Sequence, residues 1–256
     1  MLVATLASSS EGNSTYIETS DCKILIDIGT NIKYIKEKLD SLGVELNDID
    51  YLFITHTHRD HTGALEAFLK KASPRILLSK NMFEELDYLS SYENVDTTEE
   101  LIEVGKTSID YFRTSHDAID ARGCIIDDKE TSLVYLTDTG YLNQRYFKKL
   151  YNKTIYIIEA NHDVELLING KYPKWLKSRI LSDKGHLSNN ACGFYLAKLI
   201  GPNTKKVILA HLSRENNTPE EALKTVKKTL LEYDITFDSI EVAPRKDILK
   251  ETIYND

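Results

Sequence analysis

Residues 53–63 read FITHTHRDHTG. His56, His58, Asp60 and His61 fall within six residues, directly after an apolar run. The chain has 256 residues and seven histidines, and this segment takes three of them. Packing does not ask for four such polar side chains together. A turn after a strand explains them as donors. His56 and His58 alternate to one side and reach one ion, while Asp60 and His61 come after the turn and face a second. Imidazole nitrogen and carboxylate oxygen hold Zn, Mn or Fe(II) at roughly 2.0–2.2 Å. A fold for this chain must therefore end a strand here and bring further donors to the same edge.

The rest of the chain meets that demand. LVATL, TYIE, KILIDIG, YLFIT, RILLS, SIDYFRTSHD, GCIIDD, TSLVYLTDTG, TIYIIEANHD, KKVILAHLS and FDSIEVA read as strands. NIKYIKEKLDSLG, GALEAFLKKAS, NMFEELDYLSS, NQRYFKKL, KWLKSRILS, NNACGFYLAKLIG and TPEEALKTVKKTLLEY read as helices, the last with a good N-cap and Pro at its first turn. With no linker or repeat between them, these elements predict one layered α/β domain over residues 1–256. His116, His162 and His211 each follow a strand, Asp138 ends one in the same way, and His186 sits in a loop before a helix. Strand ends at one sheet edge are where distant side chains converge on a ligand. One ion then takes His56, His58 and His116. The other takes Asp60, His61 and His211, and Asp138 bridges them. Asp27 reads either as a strand-end turn residue or as a group holding loop backbone or a ligand's second nitrogen.

Composition narrows the class. The net charge is −8 and the pI about 5.5, which argues against gripping nucleic acid by charge alone. It leaves open an enzyme that holds phosphate through bound cations. Cys22, Cys124 and Cys192 are far apart and form no CxxC, as free thiols of a reducing cytosol would. The N-terminus lacks a positively charged leader, and no run approaches the roughly 18 apolar residues of a membrane span. A cytoplasmic protein without a membrane partner is expected.

THTHRDHTG resembles the signature of the metallo-β-lactamase superfamily, and the order HxHxDH, His, Asp, His is similar to that of its dinuclear members. LASSSEGNSTYIE, LIDIG, EANHDVELL, YPKWLKSRILSDKGHLSN and LAHLSRENN together resemble the YycJ/WalJ-like branch, which is related to the RNase Z and RNase J nucleases. Ser9 stands where that pattern has glycine, and Ala160 where it has serine. The resemblance implies a four-layer αββα sandwich of two mixed β-sheets flanked by helices, two divalent metal ions (Zn or Mn, with Fe an option), and 5′→3′ exonuclease activity on DNA. His58 departs from the flavodiiron pattern. Asp138 supplies the bridging aspartate that true β-lactamases lack. There is no room for the helical domain of glyoxalase II-like enzymes, nor for a β-CASP insertion between Asp138 and His211.

The expected chemistry is attack of a metal-bridging hydroxide on a phosphodiester held against both ions. Asp60 belongs to the catalytic set, and His186 protonates the departing sugar oxygen or clamps the phosphate. Lys174, Lys177 and Arg179, with Tyr172 and Trp175 among them, form a basic–aromatic stretch suited to a phosphate backbone and its bases. The competing reading is a solvated helix face with Trp175 packed inward. Ser188 and Asn189 present either a phosphate-binding helix start or an ordinary N-cap. Ser213 and Arg214 adjoin His211 and are candidate phosphate contacts. His162 is an outer residue or a substrate contact, not a metal ligand. The expected partner is nucleic acid, DNA ahead of RNA on the resemblance alone, since no motif reads a 2′-hydroxyl. The alternative is a hydrolase of a small ester, thioester or cyclic phosphodiester on the same metals. Oligomeric state is left open.

Overall fold

The computed structural model describes residues 1–97 and 100–253. Among them, two seven-stranded sheets stack face to face. The first contains β1 (Leu2–Ser9), β2 (Gly12–Glu18), β3 (Lys23–Ile26), β4 (Tyr51–Phe53), β5 (Arg75–Leu77) and β6 (Val95–Asp96). The second contains β7 (Ile102–Val104), β8 (Thr107–Arg113), β9 (Arg122–Asp127), β10 (Ser132–Leu136), β11 (Ile155–Glu159), β12 (Lys206–Ala210) and β13 (Ile240–Val242). A last strand, β14 (Leu249–Thr252), returns to pair antiparallel with β1 in the first sheet. Helices α1 (Ile32–Ser41), α2 (Arg59–Thr62), α3 (Leu65–Leu69) and α4 (Lys80–Glu85) belong to the first half. Helices α5 (Phe147–Leu150), α6 (Val164–Asn169), α7 (Lys174–Ile180), α8 (Asn189–Leu199) and α9 (Pro219–Glu232) belong to the second.

Strand alternation sorts the side chains into three apolar layers. Ile24 and Ile26 of β3 face the other sheet, where they meet Ile126, Leu133 and Ile157. Leu25, between them, faces Ile35 and Leu39 of α1 and Phe68 of α3. Across the sandwich, Tyr156 and Ile158 of β11 turn outward to Leu196 of α8 and Val226 of α9. Strands buried on both faces carry near-continuous apolar runs, which is why KILI, IYIIE and KVILA look as they do. Helix on sheet, sheet on sheet and sheet on helix give the expected αββα sandwich. Asn31 caps α1 and Thr218 caps α9, with Pro219 at the first turn of the latter.

Within each sheet, a run of parallel strands points one edge at the site. β3, β4 and β5 are parallel neighbours, as are β10, β11, β12 and β13. The C-terminal ends of both runs deliver the segments that carry the donors. Three short strands, β6, β7 and β14, escape the sequence reading because their side chains are only partly buried and lack an apolar run. NMFEELDYLSS is not one helix: α4 stops at Glu85 and a 3₁₀ turn follows over Asp87–Ser91. The segment after EANHD is helical (α6), capped by Asp163. No helix among the described residues is long and apolar enough to cross a membrane.

Candidate metal centre

The loops after β4, β8, β10, β11 and β12 close on one point. His56 and His58 follow β4, and the short helix α2 carries Asp60 and His61. His116 follows β8, Asp138 follows β10, and His211 follows β12 directly. Ligand atoms of His56, His58 and His116 lie within 4.8 Å of one another, and so do those of Asp60, His61 and His211. Asp138 adjoins both triads: its Oδ2 is 3.3 Å from His61 Nε2 and its Oδ1 3.9 Å from His116 Nε2. The seven residues that the sequence singled out as candidate donors therefore lie together in the structure.

Four of the five rings, those of His56, His61, His116 and His211, are held by their far nitrogen. His61 Nδ1 donates to Asp27 Oδ2 at 2.7 Å, and His116 Nδ1 to the Gly185 carbonyl at 3.2 Å. His211 Nδ1 donates to Glu159 Oε1 at 2.9 Å. The Thr55 hydroxyl donates to Asp27 Oδ2, so its oxygen accepts from His56 Nδ1 at 3.1 Å. Asp27, Glu159 and the Gly185 carbonyl carry no proton to give, and Thr55 has committed its own to Asp27. In the neutral rings of His56, His61, His116 and His211 the proton therefore sits on Nδ1, and Nε2 is a lone pair facing inward. His56 Nε2 then lies 3.1 Å from His58 Nδ1. Two donors on one tetrahedral ion at roughly 2.0–2.1 Å each stand about 3.3 Å apart, so the pair suits a shared cation. Asp138 Oδ2 and His211 Nε2 are buried without a hydrogen-bond partner among the described residues. Orphaned buried atoms of this kind are costly unless something positive meets them.

The electrostatics agree. Burial alone would lower the pKa of His61, yet Asp138 and Asp27 outweigh it and hold it up at about 10. His211 is raised in the same way, against burial, by Asp138. Burial opposes ionisation of Asp138, but His211 and His61 keep it well below the usual carboxylate range. His56 goes the other way: burial, with the neighbouring His61, pushes it well down. Burial lowers His116 as well, so the buried carboxylates draw positive charge towards His61 and His211 while His56 and His116 stay neutral. Such a donor set fits a divalent metal ion.

Two residues gain roles that the sequence left open or missed. Asp27 does both jobs considered for it, since its Oδ1 also accepts from the Thr55 backbone N–H at 2.8 Å. Glu159, fully buried at the end of β11, accepts from His186 Nδ1 at 2.7 Å as well as from His211. Burial opposes its ionisation, but His186 brings its pKa down to about 2. As the last residue of a buried apolar strand, Glu159 was the available signal, since a lone acid there requires partners.

The candidate substrate residues divide. A cavity of about 250 Å³ opens over the centre, and Arg179, Ser213, His186 and Tyr172 line it. Arg179 Nε also bonds Asp117 Oδ2 at 2.5 Å. Lys177 is turned elsewhere: its ammonium donates to the carbonyls of Ile168 and Gly170, both at 2.7 Å, closing the end of α6. Ser188 is the N-cap of α8, its hydroxyl accepting from the Ala191 N–H. Asn189 is wholly buried in a reciprocal pair with Asn217. These three carry structural bonds rather than facing the cavity. Lys174 is exposed outside its lining, and Arg214 pairs with Glu11 at 3.4 Å on the rim. Trp175 is 68% exposed, so the inward-packed reading of that helix is corrected: Ile180 is its buried residue. His162 is buried, and neither ring nitrogen has a hydrogen-bond partner among the described residues.

Comparison with known proteins agrees with the geometry. Residues 10–211 match the family model of the metallo-beta-lactamase superfamily. The chain is 38% identical over 237 residues to exodeoxyribonuclease WalJ of Streptococcus pneumoniae, covering 90% of this chain and 88% of that one. It is 32% identical over 234 residues to exodeoxyribonuclease YycJ of Bacillus anthracis, covering 89% and 88%. The metallo-beta-lactamase fold protein YhfI from Bacillus subtilis superposes with a TM-score of 0.73 at 15% identity, over 98% of this chain and 99% of that one. Human tRNase Z, short form, superposes with a TM-score of 0.66 at 16% identity, over 97% and 98%. By sequence, by sandwich and by the residues gathered at its edge, the chain belongs to the metallo-β-lactamase superfamily, in its YycJ/WalJ-like branch, and is a metal-dependent hydrolase.

Proposed function

We propose that the protein is a dinuclear-metal-dependent phosphodiesterase acting on nucleic acid, a 5′→3′ DNA exonuclease. The observation that carries the dinuclear reading is the pair of donor triads, His56/His58/His116 and Asp60/His61/His211, meeting at Asp138. The exodeoxyribonuclease names of the two relatives, each matched over most of both chains, support DNA as substrate. Two divalent cations held there would make a hydroxide available from water at neutral pH and offset charge on the scissile phosphate.

The chain's own residues do the rest. Arg179, on the cavity wall, is placed to receive a phosphate oxygen, and Asp117 holds its guanidinium in register. Ser213 offers a hydroxyl beside His211. Tyr172 supplies an aromatic face at the mouth. Glu159 fixes the His186 ring through Nδ1, so Nε2 is the atom through which a proton passes to the departing sugar oxygen. The same carboxylate orients His211, which couples the proton donor to a metal ligand.

The test is digestion of end-labelled duplex and single-stranded DNA, with RNA alongside, by protein loaded with Mn or Zn. Stepwise loss from the 5′ end, absent in Asp60→Ala, is the expected result. Stoichiometric metal without cleavage of any polymer would overturn the nuclease reading in favour of a small ester or cyclic phosphodiester.

A further inference from the structure

A second cavity, of about 400 Å³, lies against the first. The two share a wall at three places. Ser10 and Asp60 line the metal-centre cavity, while their neighbours Ser9 and Arg59 line the second. Ser213 lines the first, and its carbonyl accepts at 3.0 Å from Nη2 of Arg245, which lines the second. The second cavity carries three cations, Arg59, Arg245 and Lys246, against one carboxylate, Glu11. That excess of positive charge stands out in a chain of net charge −8. Glu11 is not idle there: its carboxylate is drawn to Lys246 Nζ at 3.3 Å and to Arg214 at 3.4 Å. None of the three cations belongs to the donor set of the centre.

We propose that this cavity is a phosphate subsite, holding a phosphate of the substrate strand adjacent to the one at the metal centre. The inference rests on the nucleic-acid reading above and adds the path of the strand. The polynucleotide enters over Tyr172 and Arg179, places one phosphate at the centre, and crosses the Ser9–Ser10 wall so that its neighbour meets Arg59, Arg245 and Lys246. Two charged stations on either side of the reacting bond set the register of the strand, a task that the metal ligands alone do not perform. Glu11 occupies Lys246 in the absence of the strand and opposes the incoming phosphate.

The test uses Mn-loaded protein and a fluorescent single-stranded oligonucleotide with a hydrolysis-resistant phosphorothioate backbone, followed by anisotropy across a salt series. Neutralising two cations with Arg59→Gln/Lys246→Gln should weaken binding about tenfold and flatten the slope of log K against log salt by about 1.4, at about 0.7 per lost contact on a single strand. Glu11→Gln should act in the opposite sense and tighten binding, and Lys246→Arg should retain wild-type affinity. Turnover of bis(p-nitrophenyl) phosphate, which needs only the metal centre, should stay within about twofold of wild type in every variant. Unchanged affinity and slope in the double variant overturn the subsite, as does loss of small-diester turnover in parallel with binding. If wild type digests DNA while the double variant binds as tightly, only the subsite fails. If wild type turns over the small diester but binds no oligonucleotide, the nucleic-acid reading fails and the subsite with it.

Discussion

Asp27, Asp138 and His211 stand on left-handed backbone, with φ of 58°, 53° and 57°. Each follows a strand, and the reversal re-aims its side chain from the pleat into the centre. Such a conformation costs an L-residue roughly 1–2 kcal/mol. Local bonds oppose that cost: the His211 N–H donates to Ser8 Oγ at 2.8 Å, and Asp27 accepts from Thr55 through both carboxylate oxygens. Single side chains then separate binding from chemistry. His186→Ala is expected to lower kcat by about 10²–10⁴ while metal content stays near wild type, since removal of a proton donor typically costs that much. Glu159→Gln should weaken metal affinity by roughly 10–100-fold as well as slow turnover, because its single amide oxygen cannot serve both His211 and His186 on one side and the Thr139 and Leu187 N–H groups on the other; metal titration beside kinetics separates the two variants. His162 makes a pH prediction. Burial pushes its pKa down to about 4, so the unfolded chain binds a proton between about pH 6.5 and 4 that the folded one refuses. Its contribution is therefore nil at neutral pH and destabilises progressively as pH falls through that window, by up to about 3 kcal/mol. His162→Gln should show a flatter loss of stability than wild type over that range in urea melts, whatever its stability at pH 7.

At the scale of elements, close backbone approaches hold the centre. Gly29, after β3, lies so near α2 that an added Cβ would sit 1.5 Å from the Asp60 carbonyl. The Ile28 N–H donates to the His61 carbonyl at 2.8 Å, and the Ala64 N–H to the Ile28 carbonyl at 2.9 Å. Gly29→Ala should push α2 outward and lower metal affinity along with stability, read by metal titration and thermal melt. The α6–α7 pair covers the other side. Lys177 ties these two helices together, whereas Arg179, two residues on, lines the cavity. Lys177→Met is accordingly expected to cost about 1–2 kcal/mol of stability, the worth of bonds to an ammonium on a partly exposed site, with little change in the salt slope of DNA binding. Arg179→Gln should do the reverse.

At the scale of the molecule, the metal centre lies where two sheets meet, so occupancy and folding are linked. An ion that binds only the folded chain at 100 times its Kd adds about 2.7 kcal/mol. In a chain of this size that is a rise in Tm of roughly 5–10 °C. Chelation should lower Tm by that amount, and Zn or Mn should restore it in wild type but far less in Asp138→Ala. Protons compete for the same nitrogens, so the metal-dependent part of Tm should shrink as pH falls.

Much of this protein is legible in its sequence. Strand runs bearing a polar residue at their C-terminal end marked the site, because apolar runs and the donors that interrupt them obey different needs. Helix caps at Asn31 and Thr218 are likewise local, settled by a side chain and the next three residues. Glu159 could not be recognised that way, since its meaning lies in His186 and His211, 27 and 52 residues away. Lys177, Ser188 and Asn189 had the right chemistry for phosphate but were spent on backbone and side-chain partners that only the packed helices provide. The edge strands β6, β7 and β14 exist through pairing with neighbours rather than through their own apolar content. The order and spacing of the residues thus determined the layered fold and which strand ends carry the candidate metal donors. Tertiary structure alone decided which polar side chains face the cavity, because a side chain's direction depends on what its element packs against.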